Sequence, residues 1–229
     1  MPRRTPSDRV GDVARAACRV FTGKGYQQAL MTDVGTELGL SHALLYRYVE
    51  GKEALFELAL RYAMDPDAIS AIQTPLPVPP PGRILGLVKE WAGKQASFPV
   101  LSAALTGDHA GELAGIIDEF YAFIEHNRRL LALIERSALD LPELHAFYYT
   151  ELRRAYVGQL TAYLRRGASS ADLRPVSDVS VAARFIVEST AWFAWHRTAD
   201  PDSDMITDEQ ARQTVRELLL AAFVPAKGA

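Results

Sequence analysis

The apolar positions of the chain keep the spacing of an α-helix almost everywhere. Val10, Val13, Ala14, Ala17, Val20 and Phe21 recur at steps of three and four and so share one helical face. Arg9, Arg15 and Arg19 fall mostly off that face, and Gly23 and Gly25 supply the flexible stop that a helix end favours. Met31, Val34 and Leu38 mark a short second helix ending at Gly39. Ser41 is placed to cap a third over 42–48, and 52–64 reads as a fourth. Six prolines between Pro66 and Pro81 fix φ and remove backbone donors, which predicts a loop or linker over 66–82.

Beyond that break the same periodicity predicts helices over 83–96, 112–138, 141–166, 178–198 and 208–223, with a short piece near 100–105. Asp140, Pro142 and Glu143 have the spacing of a capping box, as do Thr207 and Gln210. No convincing polar–apolar alternation and no internal repeat is present. The expected fold is all-α with about ten helices, a small three-helix head over 1–51 and a larger helical bundle over 52–229.

Composition narrows the class. With 48% apolar and 23% charged residues, the 229-residue chain can bury a core, which excludes a disordered or collagen-like polymer. Its one cysteine, Cys18, can form no internal disulfide, and a reducing compartment is the natural setting. No apolar run follows the charges of the first nine residues, so no secretory signal is expected. The longest uncharged run, 68–82, holds five prolines and cannot span a bilayer. A soluble, cytoplasmic protein with no membrane partner is expected.

The net charge of −3 is unevenly shared: residues 1–56 carry eight Lys or Arg against six Asp or Glu, the remainder 17 against 22. A basic head on an acidic body suits the approach of the head to a polyanion, although a difference of this size also arises by chance.

Enzyme signatures are missing. There is no nucleophile elbow, zinc-protease motif, Walker loop or dinucleotide fingerprint. Asp200, Asp202 and Asp204 imitate the start of a calcium loop, but Met205 stands where glycine is needed and Ala211 where glutamate is. His196 and Asp200 lie four apart without a third ligand in register. No catalytic residue, metal or cofactor is expected.

The informative segment is 31–52. Two short helices joined by Gly39, Leu40 and Ser41 fit a helix-turn-helix, with Gly39 in the positive-φ position of the turn. In that geometry the second helix enters the major groove N-terminus first, so His42, Ala43 and Leu44 face base edges. Tyr46, Tyr48 and Lys52 offer donors to phosphates, contacts that position the protein without reading sequence. On spacing alone, an ordinary helical hairpin fits equally well.

Gly25-Tyr26, Val34-Gly35, Leu38-Gly39-Leu40-Ser41, Leu45-Tyr46-Arg47-Tyr48-Val49 and Lys52-Glu53 followed by Leu55 resemble the N-terminal signature of the tetracycline-repressor (TetR/AcrR) family of bacterial transcription regulators. The resemblance covers about residues 9–56. It implies a homodimer with one DNA-binding head per chain and a helical body that binds a ligand. The family's threonine at the start of the second helix falls at Ala29, a frequent arginine at Thr32 and the usual alanine at Gly35. Ala29 removes a cap and Thr32 a phosphate contact, which Gln28 could replace, while glycine inside a helix costs about 1 kcal/mol.

In the body, Trp91, Phe98, Phe120, Phe123, Tyr148 and Tyr156, with the polar Asn127 and His145, are candidates to line a pocket for a largely apolar effector. His126 is a further polar candidate. Aromatic residues at helical spacing also serve as plain core. Val181, Phe185, Glu188, Trp192 and Trp195, with Val215, Leu218, Leu219 and Ala222, form stripes on the last two helices suited to a two-fold four-helix interface. The stripes could instead face the chain's own core.

The expected function is a ligand-responsive transcriptional regulator, a repressor released from its operator by a small effector, and not an enzyme. Two alternatives stay open: a binding or adaptor protein of this fold with weakened operator recognition, and an all-α enzyme with an unmarked site.

Overall fold

The computed structural model describes residues 6–105 and 112–226, with side chains from Arg9 onward. The opening residues, on which the reading of a missing leader partly rests, lie outside them. Among the described residues the chain is all-α, with one isolated bridge and no strand. It divides into two compact units: residues up to Gln95 with Arg129–Tyr149, and Ala96–Arg128 with everything from Thr150.

The first unit holds α1 (Pro6–Lys24), α2 (Met31–Leu38), α3 (His42–Leu45), α4 (Lys52–Met64), α5 (Arg83–Gln95) and the second half of α7 (Glu112–Ala138). The periodic face of α1 packs on α4: Val13, Ala14, Ala17 and Phe21 are buried, as are Leu55, Phe56, Leu58 and Ala59 opposite. Phe21 and Phe56 meet edge to face at 5.0 Å, and Tyr26 meets Phe56 at the same distance. Each buried phenylalanine contributes about 2–3 kcal/mol of transfer free energy, so this cluster anchors the head to its fourth helix. Glu57, buried on α4, is neutralised by Arg61 at 2.6 Å and faces Arg83 at 3.8 Å.

The Pro-rich stretch is not a free spacer. It begins with a 3-10 turn, Asp67–Ala71, and returns to the head, where Leu76 N donates to Tyr48 O and Glu50 N donates to Leu76 O. Prolines exclude a helix, but Leu76 keeps its backbone donor and acceptor and uses both.

The second unit holds α6 (Pro99–Ala104), the first half of α7, α9 (Arg154–Ser169), α10 (Val179–Ala194) and α11 (Asp208–Phe223). Asp178 caps α10 by accepting from Ser180 N and Val181 N, and Thr207 and Gln210 make the expected capping box on α11. Arg197 is 5% exposed, donates to Phe193 O and Ile206 O, and pairs with Asp208, which Arg128 also holds. These charges tie α7, the end of α10 and the start of α11 together.

Two caps and the helix expected over 141–166 differ from expectation. Ser41 precedes α3 without a side-chain cap bond. Asp140 does not cap the helix after it: Leu141 takes the cap position, and the Asp140 carboxylate instead accepts from Gln27 N at 2.9 Å. The helix expected over 141–166 begins as α8 (Pro142–His145), widens into a π-wound stretch, Ala146–Arg153, and continues as α9.

Candidate nucleic-acid interface

The turn between α2 and α3 is built around two glycines. Gly39 ends α2 at φ 64°, and the backbone donors of Gly39 and Leu40 return to Thr36 O and Gly35 O at 3.2 and 2.8 Å. This is a Schellman closure, which satisfies the last carbonyls of α2 and turns the chain sharply. Gly35 is the second requirement. A methyl there would stand 2.9 Å from Leu40 O, so the glycine lets the turn lie against its own helix.

Ala29 carries no cap, yet the start of α2 is satisfied otherwise. Leu30 N donates to Asp33 Oδ2 at 2.9 Å, and Lys24 pairs with Asp33 Oδ1 at 2.7 Å. The Lys24 hydrogen bond, followed by that from Leu30 N, holds the Asp33 carboxyl below its ordinary pKa. The sequence signal was an acidic residue at the third helical position, which favours helix N-termini.

Helix α3 is shorter than its spacing predicts. It ends at Leu45, and Arg47 N and Tyr48 N bond three residues back, because the segment must straighten to meet Leu76. Leu45 is fully buried and fixes one side of the turn. On the other side His42, Ala43 and Tyr46 are exposed, Leu44 is half-buried, and Thr32, Ser41 and Arg47 are also exposed. The His42 and Tyr46 rings meet edge to face at 5.0 Å and form one projecting unit.

Tyr48 differs from its expected role. Its ring is only 7% exposed, so it packs the turn rather than projecting beside Tyr46. Lys52 is half-buried; its ammonium donates to Gln27 O at 3.0 Å and lies 4.9 Å over the Tyr26 ring, which holds this cation at the edge of the head. Gln28 is exposed.

A clamp unmarked by the sequence patterns holds the turn between α1 and α2. Arg136 donates to Lys24 O at 2.6 Å, and Asp140 accepts from Gln27 N. Both lie close over Gly25, whose φ is 84°; a methyl there would meet Arg136 Nη1 at 2.7 Å and Asp140 Oδ2 at 2.8 Å.

The expected pocket residues are not one group. Phe98, Phe120, Phe123 and Tyr156 form an aromatic cluster in the second unit: Phe98 lies 4.5 Å from Tyr156 and 5.1 Å from Phe123, and Phe120 stacks on Tyr156 at 4.3 Å. Burial pushes the Tyr156 phenol well above its ordinary pKa, so it stays neutral. Asn127 spends its amide donor on Phe123 O one helical turn back, and His126 is exposed. Trp91 and Tyr148, both buried, and the exposed His145 belong to the first unit.

The last two helices divide as well. Val181, Phe185, Trp192 and Leu218 are exposed at 65, 57, 40 and 64%, with Ala222 exposed beside them. Val215 and Leu219 instead face the chain's own core. Glu188 is half-buried and pairs with Arg153 and Arg184, and Trp195 is half-buried against His196.

Among the described residues no group of His, Cys, Asp and Glu could hold a metal ion, and no helix is long and apolar enough to cross a membrane.

Residues 14–59 match the family model of the bacterial regulatory proteins of the tetR family. Over 226 residues the chain is 21% identical to the HTH-type transcriptional repressor KstR2 of Mycolicibacterium smegmatis, covering 97% of this chain and 94% of that one. The fold is similar to that of the ketosteroid transcriptional regulator KstR2 of Mycobacterium tuberculosis, with a TM-score of 0.59 at 17% identity, covering 95 and 96% of the two chains. It is also similar to that of AibR in complex with isovaleryl coenzyme A and operator DNA, with a TM-score of 0.51 at 19% identity, covering 94 and 100%.

Proposed function

We infer that this chain, which belongs to the tetR family of bacterial regulatory proteins, is a dimeric cytoplasmic repressor that leaves its operator when a small effector binds. The observation that carries the reading is the projecting face of His42, Ala43 and Tyr46 on a turn whose opposite side is locked by buried Leu45. A short helix presented in this way fits the major groove, with its first residues at base edges and Tyr46 at a phosphate. Thr32, Ser41 and Lys52 lie on the same head and contribute backbone contacts. Residues 1–51 serve as the DNA-binding part and 52–229 as the ligand-binding and dimerisation part.

The effector is a largely apolar small molecule, and the aromatic cluster of Phe98, Phe120, Phe123 and Tyr156 supports a site beside it. AibR, similar in fold, is described with a small molecule, isovaleryl coenzyme A, and with operator DNA. The exposed apolar stripe of Val181, Phe185, Trp192 and Leu218 supports an isologous dimer. A two-fold dimer places its recognition helices about 34–36 Å apart, or at a multiple, to reach successive major grooves. An effector that binds one body conformation more tightly shifts the population away from that spacing. The chain acts by binding, not by catalysis.

The test is a gel shift with the DNA upstream of the chain's own gene, at two salt concentrations. Binding that survives competitor DNA supports the regulator. Salt-sensitive binding without sequence preference points to a scaffold with weakened recognition, and no binding at either salt points to another class.

A further inference from the structure

A cleft of about 520 Å³ opens in the first unit between α1, α4 and α7. Its walls are Arg15, Arg19 and Thr22 of α1, Tyr62 of α4 and Arg129 of α7, over a floor that includes Cys18 and Ala132. The lining is one-sided in its chemistry: three guanidinium groups and two hydroxyls, with no carboxylate among the lining residues. Arg15 is partly neutralised by Asp12 at 3.4 Å, and Arg19 pairs with Glu37. Arg129 is different. Among the described residues it pairs with no carboxylate, and its guanidinium lies 5.0 Å from the Tyr62 ring centre, which fixes the charge at the cleft wall. The floor is apolar in character. The Cys18 thiol is buried, and burial pushes its pKa up to about 11, so it remains a neutral, unreactive group.

We propose that this cleft binds a small organic anion: a carboxylate or sulfonate head on Arg129, with Arg15 and Arg19 beside it, and a compact apolar body over Cys18 and Ala132. Its volume lies in the range of small-molecule sites. A guanidinium with no acid of its own supplies a charge-assisted donor without first having to release a partner. The site is separate from the aromatic cluster of Phe98, Phe120, Phe123 and Tyr156, which belongs to the other unit. Because its walls come from α1, α4 and α7, a bound molecule bridges the first helix of the head to α7.

The probe is sodium octanoate, titrated calorimetrically into the full-length protein, with octanol and inorganic phosphate as comparisons. Octanoate should saturate at one molecule per protomer. Octanol, which has the body without the charge, and phosphate, which has the charge without the body, should each bind about tenfold more weakly or worse. Arg129→Gln should weaken octanoate about tenfold, Arg129→Lys less, and Lys94→Gln, which removes an exposed cation outside the cleft lining, should leave it unchanged. The proposal is overturned if octanoate fails to saturate at millimolar concentration, if phosphate matches it, or if Arg129→Gln binds octanoate as tightly as the parent. Arg129 is exposed, so its replacement leaves the core intact.

Discussion

Replacing Gly25 by alanine should be among the most damaging single-methyl additions to the head. Gly25 sits at φ 84°, a conformation that costs an L-residue about 1 kcal/mol or more. The added methyl would stand 2.7 Å from Arg136 Nη1 and 2.8 Å from Asp140 Oδ2. Both side chains can swing away, but only by releasing Lys24 O and Gln27 N. Hydrogen bonds to charged groups contribute about 1.5–3 kcal/mol each when buried, and these part-exposed ones fall at the low end or below. The total loss is about 2–4 kcal/mol. At a urea slope near 3 kcal/mol/M, the unfolding midpoint of Gly25→Ala should drop by about 1 M. Gly23→Ala is the control: it lies two residues earlier in α1, meets nothing within 4 Å, and should gain up to about 1 kcal/mol. Urea unfolding of both variants at one protein concentration decides the matter. If Gly25→Ala stays within about 0.5 kcal/mol of the parent, or if Gly23→Ala is equally destabilised, the clamp does not hold the turn.

Gly35→Ala should destabilise despite the better helix propensity of alanine, because the clash is with the Leu40 backbone carbonyl; thermal unfolding reads the sign. His42→Ala should change which bases are preferred, whereas Tyr46→Phe should weaken binding to cognate and random DNA alike; anisotropy titrations separate the two, and the double variant should be non-additive because the rings touch. Phe185→Glu should convert a dimer to a monomer in sedimentation at micromolar concentration while the circular dichroism spectrum stays helical. The Asp208 carboxyl is held below its ordinary pKa first by the Arg128 hydrogen bond and then by the charges of Arg128 and Arg197. Its stabilisation is therefore present above the ordinary carboxylate range and lost as pH falls through the lowered value. Asp208→Asn should accordingly melt below the parent at neutral pH, and the gap should close under acid.

Periodicity and caps made most of the helices legible, since each depends on neighbours in sequence: the α1 face, Gly39 in the turn and the Thr207–Gln210 box all follow local rules. The misses come from partners far away in the chain. Asp140 has the spacing of a cap, but Gln27 lies within its reach. Tyr48 looks like a surface hydroxyl until the Pro-rich stretch returns and covers it. The helix after 141 carries no sequence mark of its π-wound middle. The aromatic residues of the body were divided between two units because composition identifies what is apolar without saying which apolar groups meet. Val215 and Leu219 went to the core for the same reason, while Val181, Phe185 and Leu218 stayed outside.

That the turn headed by Ser41 is a probe for duplex grooves is tested most directly by contact at Ala43. Cys18 is the only cysteine, buried and unreactive, so an Ala43→Cys variant can be tethered selectively to a DNA-cleaving iron chelate. On the DNA upstream of the gene, the tethered protein should cut at two clusters related by a two-fold axis and spaced by about one helical turn or a multiple of it. Cutting without fixed positions, or none while the protein remains bound, would show that this face does not enter the groove.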